Sequence, residues 1–290
     1  MKTNEDIKVL ILPDIHGRQF WKTVYDFPID KYPDLEIIFL GDYLDPYTGY
    51  EDISKEDAYN NFLEILDYIK SDKRVTALIG NHDWHYFVQL DSSRIDKARE
   101  RQIEKLFVEN MRYFKLVKEI SVNNIKYLFT HAGITSRWLE DIIHLAKYSY
   151  KIKEPEQGHE QEWNDFINTV ELYDIDKENN FDILNECLKN YDDYTYSRFM
   201  SMVGPERGGY FREHGSLIWA DVHEHTNYFN KPLTKYYQIF GHTITYPDGQ
   251  YSYYIPDKDS GINFAMVDGS QAFILTSNNK LKVYKKEDRS

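Results

Sequence analysis

One cysteine, Cys187, stands among 290 residues, so an internal disulfide is excluded, and a thiolate-built metal site with it. Positive charge is also scarce. Against 48 Asp and Glu there are 35 Lys and Arg, a formal net charge of -13, which disfavours a broad footprint on nucleic acid or an anionic membrane and leaves room only for a local basic pocket. No apolar run approaches transmembrane length, and Met1 to Asp6 hold no apolar signal region. These absences predict a soluble, cytoplasmic protein with no membrane partner. Internal repeats, low-complexity tracts and linkers are missing too. What remains is a chain 41% hydrophobic, enough for one α/β domain over residues 1–290, or a core domain carrying a sizeable insertion.

Polar residues recur at the ends of five apolar runs, which read as strands handing them to the same edge of a sheet. Ile7 to Leu12 reads as a buried strand stopped by Pro13, and Asp14-Ile15-His16-Gly17 follow. Alternate residues of an extended segment point the same way, so Asp14 and His16 can converge, although an Asp cap beside an incidental His fits that motif equally well. Ile37 to Leu40 runs into Gly41-Asp42-Tyr43-Leu44-Asp45, a carboxylate where open α/β sheets place ligands. Ser54 with Asp57 forms a capping box that opens an amphipathic helix burying Ala58, Phe62, Ile65, Leu66 and Ile69. The helix leads to Val75 to Ile79 and Gly80-Asn81-His82-Asp83. Arg94 to Arg112 reads as a second helix with a solvated charged face, and His85 as a structural histidine as much as a site residue. Ile125 to Phe129 delivers Thr130-His131-Ala132-Gly133, and Tyr236 to Phe240 delivers Gly241-His242-Thr243. Asn263 to Val267, Ala272 to Thr276 and Leu281 to Tyr284 read as a β meander. Residues 136–235 lack this rhythm and read as a helical insertion, in which His223-Glu224-His225 is a solvent-facing segment and Leu217-Ile218-Trp219 returns the chain to the core.

Asp14, His16, Asp42, Asn81, His131 and His242 form a nitrogen and oxygen donor set suited to Mn²⁺, Fe, Zn²⁺ or Co²⁺. Six donors exceed the needs of one catalytic ion and suit two, bridged by a carboxylate, an arrangement fit for phosphoryl displacement.

The ordered blocks Asp-x-His, Gly-Asp-x-x-Asp, Gly-Asn-His-Asp, His-x-Gly and Gly-His resemble the signature of the calcineurin-like metallophosphoesterases, all five in the family's order between Ile7 and Thr243. The resemblance implies a four-layer α/β/β/α sandwich of two mixed sheets flanked by helices. It also implies two divalent ions, Mn²⁺ foremost. Asp14 and His16 would hold the first, Asp42 would bridge, and Asn81, His131 and His242 would complete the second. His82, oriented by Asp45, would protonate the leaving group after direct attack of metal-bound hydroxide. Many relatives carry Gly-His-x-His; here residue 244 is Ile, which is similar to the phosphoprotein-phosphatase branch. That branch places Arg-Gly after the last Asp of the second block, where this chain has Pro46 and Tyr47. Arg207, in its glycine-rich loop, then Arg137 and Arg212, are the candidates for holding phosphate. The expected substrate is a phosphomonoester such as a phosphoprotein. Features similar to bacterial diadenosine tetraphosphatases, notably His131 to Thr135 followed by Trp138, keep a dinucleoside polyphosphate hydrolase as the alternative, and a metal-free scaffold as the third.

Overall fold

The computed structural model describes residues 6–47, 52–90, 94–152, 160–210, 212–226, 230–243, 253–255 and 261–285. Among them ten strands form two sheets. In the first, β1 (Ile7–Leu12), β2 (Glu36–Phe39), β3 (Val75–Leu78) and β4 (Phe114–Lys115) run parallel, and β9 (Phe273–Thr276) and β10 (Leu281–Val283) add antiparallel, in the order β10-β9-β1-β2-β3-β4. The second has β5 (Lys118–Val122), β6 (Ile125–Phe129), β7 (Tyr237–Phe240) and β8 (Phe264–Met266) in sequence order, with β6 to β8 parallel and β5 folded back on β6.

The unbroken apolar strands follow from burial on both faces. Val9, Ile11, Ile38 and Leu40 meet Phe129, Ile239 and Phe273 between the sheets. Their neighbours Leu10, Leu12, Ile37 and Phe39 point outward into a helical layer that includes Phe62, Ile65 and Leu66. Those three lie on the helix Lys55–Ser71, and its start carries the expected capping box: Ser54 Oγ accepts the Asp57 N–H at 3.0 Å and Asp57 Oδ2 accepts the Ser54 N–H at 3.1 Å. Across the molecule Val222, from the helix Val222–Thr226, packs on Phe240, Phe264 and Met266. Two sheets flanked by helices are thus the architecture.

Three sequence expectations need correction. The carboxy-terminal strands form no meander: β8 pairs parallel with β7 in the second sheet, whereas β9 and β10 join β1 in the first, after the chain passes Gly269 with its φ of +119°. The helix expected over residues 94–112 is confined to Glu100–Glu109. Asp96 supplies the reason, since its carboxylate accepts the Ala98 N–H at 3.1 Å and Arg99 Nη1 at 3.0 Å, a local turn that competes with helix. The ligand-bearing strands, finally, do not share one sheet edge: β1, β2 and β3 lie in one sheet and β6 and β7 in the other.

Between β6 and β7 lie the helices Ser136–Ile152, Glu160–Glu171, Glu186–Lys189, Tyr194–Met200 and Val222–Thr226. Leu217 and Ile218 are fully buried, and the Leu217 carbonyl accepts the Ala132 N–H at 2.8 Å, which ties this region to the strand end carrying His131.

Candidate metal centre

Every ligand candidate sits just beyond a strand, because there the backbone leaves the ladder and can turn sharply. The turns are unusual. His16, Asp42, Asp45 and His242 all take left-handed backbone, with φ of +45°, +53°, +58° and +69°, a conformation costing roughly 1–2 kcal/mol for a residue with a Cβ and met most often at functional sites. Glycines permit the close approach. A Cβ on Gly41, itself at φ +105°, would collide with the Gly80 backbone, and one on Gly241 would collide with the Asp14 carboxylate.

The structure brings Asp14, His16, Asp42, Asn81, His131 and His242 together, each at most 7% exposed. His16 Nε2 lies 3.3 Å from Asp42 Oδ2. His131 Nε2 lies 3.5 Å from the same oxygen, 3.0 Å from Asn81 Oδ1 and 3.2 Å from His242 Nδ1. Asp42 therefore faces two groups, one with Asp14 and His16 and one with His131 and His242. The backbone sets the tautomers. His16 Nδ1 donates to the Leu44 carbonyl at 2.9 Å and His131 Nδ1 to the Leu40 carbonyl at 2.8 Å, so both Nε2 atoms present lone pairs. Around His131 Nε2, ring nitrogen, amide oxygen and carboxylate converge. Such a set fits divalent cations, and ring N–H groups anchored on backbone carbonyls are the usual support of metal-binding histidines.

Burial works to raise the Asp42 carboxyl, but the imidazoles of His131, His82 and His16 outweigh it and hold Asp42 well below the usual range. Burial raises Asp14, reinforced by Asp42 and opposed by His131. His242 is pushed well below the ordinary histidine value by burial, then by Arg207 and His131.

His82 stands at the edge of this group, its Nδ1 2.9 Å from Asp45 Oδ2. Asp45 Oδ1 accepts the Tyr86 hydroxyl at 2.6 Å, and Tyr86 in turn accepts the Asp96 N–H at 2.9 Å. Burial lowers the His82 value against the support of Asp42 and Asp45. Asp83, the last residue of the third block, faces inward instead: its carboxylate accepts the N–H groups of Asp42 at 2.7 Å, Gly80 at 2.9 Å and Tyr43 at 3.0 Å. His85 packs against His82 and Trp219, and burial, then His82, lower it to about 4.

Of the arginines singled out in the sequence, Arg207 reaches the site, its Nη2 donating to the His242 carbonyl at 3.2 Å and Thr243 Oγ1 at 3.0 Å, with Nε 2.7 Å from Asp221 Oδ2. Arg137 pairs with Glu140 on the surface, and Arg212 is exposed. An arginine the sequence did not single out, Arg94, lies against the His82–Asp45 pair: its Nη1 donates to the Asp45 carbonyl at 3.1 Å and its Nη2 meets His82 Nε2. His223-Glu224-His225 also departs from expectation. His223 faces solvent, but Glu224 is buried, accepting the N–H groups of Gly215 at 2.9 Å and Asp221 at 3.2 Å, and His225 stacks on Phe240 with Nε2 donating to the Ala132 carbonyl at 3.0 Å. Ile244 lies outside the described residues. No helix among the described residues is long and apolar enough to cross a membrane.

Comparison with solved structures finds a metallophosphoesterase from Sphaerobacter thermophilus at 17% identity and a TM-score of 0.25, covering 44% of this chain and 48% of that one, so the match spans about half the length of that protein. It also finds the phosphopantetheinyl hydrolase from Mycobacterium tuberculosis at 15% identity and a TM-score of 0.32, covering 92% of this chain and 91% of that one. No curated protein matches the sequence. The calcineurin-like phosphoesterase family model matches residues 7–257, most of the chain and all five motif blocks. The chain belongs to the calcineurin-like phosphoesterases, metal-dependent hydrolases of phosphate esters.

Proposed function

We propose that this enzyme hydrolyses phosphate monoesters with two divalent ions, as serine/threonine protein phosphatases do, within a single domain whose 136–235 insertion covers the site. The convergence of Asp42, Asn81 and His131 carries the reading, since a divalent cation would draw on all three donors at once. Asp14 and His16 would hold the first ion, Asn81, His131 and His242 the second, with Asp42 shared; Mn²⁺ suits these donors best, with Fe, Zn²⁺ and Co²⁺ as further options. When bound, the ions supply an activated water and neutralise phosphoryl charge.

The side chains do the rest. Asp45 fixes the His82 ring through Nδ1, so that Nε2 carries the proton to the departing oxygen. Tyr86 holds Asp45 in place from the other side. Arg207, at the His242 end, adds positive charge where phosphoryl oxygens would gather.

A dinucleoside polyphosphate substrate is the second reading. Trp219, half-buried between His85 and His242 at ring distances of 5.5 and 6.0 Å, favours it by offering a base-stacking face. Phosphate release from an aryl phosphate, a phosphoserine peptide and diadenosine tetraphosphate, with Mn²⁺ and after chelation, separates the two. Preference for the peptide supports the phosphatase, and preference for the dinucleotide the alternative. No metal-dependent turnover of any of the three sinks both and brings the scaffold reading forward.

A further inference from the structure

The second motif block leaves a gap in the chemistry. After Asp45 come Pro46 and Tyr47, so no guanidinium follows the carboxylate that orients His82. The fold fills that space from elsewhere in the chain. Arg94, 47 residues beyond Tyr47 in the sequence, sets its guanidinium over the Tyr47 ring, 4.0 Å from the centroid. The opposite ends of the same group are fixed by the Asp45 carbonyl and by His82 Nε2. Tyr47 is itself held, edge-on to His16 with ring centroids 4.7 Å apart. Among the described residues, a guanidinium so placed is oriented by three neighbours, none of them through a carboxylate, which leaves its charge available to an anion.

The other arginines are committed differently. Arg207 pairs with Asp221 and bonds to the His242 carbonyl and Thr243, which keeps it at the His242 end of the cluster. Arg18 is buried and donates to the Asp14 carbonyl at 3.3 Å. Arg94 alone among these three touches the imidazole nitrogen that faces a departing oxygen. A phosphoryl group lying between His82 Nε2 and the ligand cluster would border the guanidinium edge, a geometry that suits two parallel N–H···O bonds.

We propose that Arg94 grips the phosphoryl oxygens on the His82 side of the cleft, and that Tyr47 is its positioning residue. The assignment rests on the hydrolase reading above. Arg94 caps His82 Nε2 when no anion is present and turns to the anion when one binds, which frees Nε2 for the leaving group. Tyr47 then stands in for a covalent neighbour: the sequence replaces an arginine beside Asp45 by a flat ring that recruits one from a distance.

The test uses the metal-loaded full chain and two readouts, calorimetric titration with inorganic phosphate and steady-state hydrolysis of an aryl phosphate. Arg94→Ala is expected to weaken phosphate binding and to raise KM at least tenfold, while bound metal stays at the wild-type level. Arg94→Lys, which keeps the charge without the fork, should recover only part of the loss. Tyr47→Leu should raise KM severalfold in the wild-type background and have no further effect in Arg94→Ala, whereas Tyr47→Phe, which keeps the ring, should match the wild type. Arg94→Ala with wild-type phosphate affinity in a protein that hydrolyses the ester overturns the assignment and leaves the hydrolase reading intact. Tyr47→Leu acting equally in both backgrounds overturns the positioning role. A wild type that binds phosphate through Arg94 but turns over no ester overturns the hydrolase reading and supports Arg94.

Discussion

Asp83 holds Asp42 by its backbone. The Asp83 carboxylate accepts the Asp42 N–H at 2.7 Å and, with the same group, the N–H groups of Gly80 and Tyr43. The final carboxylate of the third motif block thereby fixes the turn of the second. Asp83→Ala strands three buried donors, and at about 1–2 kcal/mol each it should cost roughly 3–6 kcal/mol of stability. Asp83→Asn should fall in between. Urea denaturation checks both; a loss below about 1 kcal/mol for the alanine variant would show that water or a shifted backbone satisfies those groups.

His82→Asn should lower kcat by about 10²–10⁴-fold on a phosphate ester with a poor leaving group, the scale for losing a general acid. The loss should shrink on a nitrophenyl ester, whose leaving group needs no proton, and metal content should hold. Equal losses on both esters would place His82 in binding instead of proton transfer.

His242→Ala removes a donor from the second group only, since Asp14, His16 and Asp42 do not depend on its ring. Metal analysis after gel filtration should give one ion per chain where the wild type gives two. Two ions in the variant would mean that His242 serves as packing against His131 and Trp219.

Acid sensitivity should have a share traceable to one residue outside the metal cluster. Burial lowers His225 to about 4, against an unfolded value near 6.5. The unfolded chain therefore binds a proton that the folded chain refuses, and stability falls as pH drops from about 6.5 to about 4. His225→Gln keeps a donor for the Ala132 carbonyl and cannot titrate. Its melting temperature should decline less steeply than the wild type across that window, by the equivalent of about 3 kcal/mol; parallel curves would refute the assignment.

The sequence made the strands that bear ligands legible because each is apolar on both faces and ends in a residue type that packs poorly. It concealed β4, only two residues long, and β5, whose Lys118, Glu119 and Ser121 dilute its pattern. A turn signal was present for the β5–β6 hairpin: Asn123 and Asn124 both take left-handed backbone, with φ of +45° and +65°. Arg94 was invisible for another reason. In a window of mixed charge it looks like any solvated helix residue, and only the stop imposed by Asp96 and the position of Tyr47 turn it toward His82. Asp83 was equally hidden, because a carboxylate that accepts three backbone donors leaves no periodic trace.

The connection from β6 to β7 covers more than a hundred residues, and the carboxyl ends of both strands, at His131 and His242, carry candidate ligands. None of the six candidate ligands comes from residues 136–235. This stretch meets them through Leu217 on Ala132, Arg207 on the His242 carbonyl and Trp219 beside the His242 ring. On the proposed reading, chemistry and choice of substrate are thus written on different parts of the chain. A lineage could rewrite the long connection, changing what is admitted to the cleft, while the strand tips pass unaltered from one enzyme to the next.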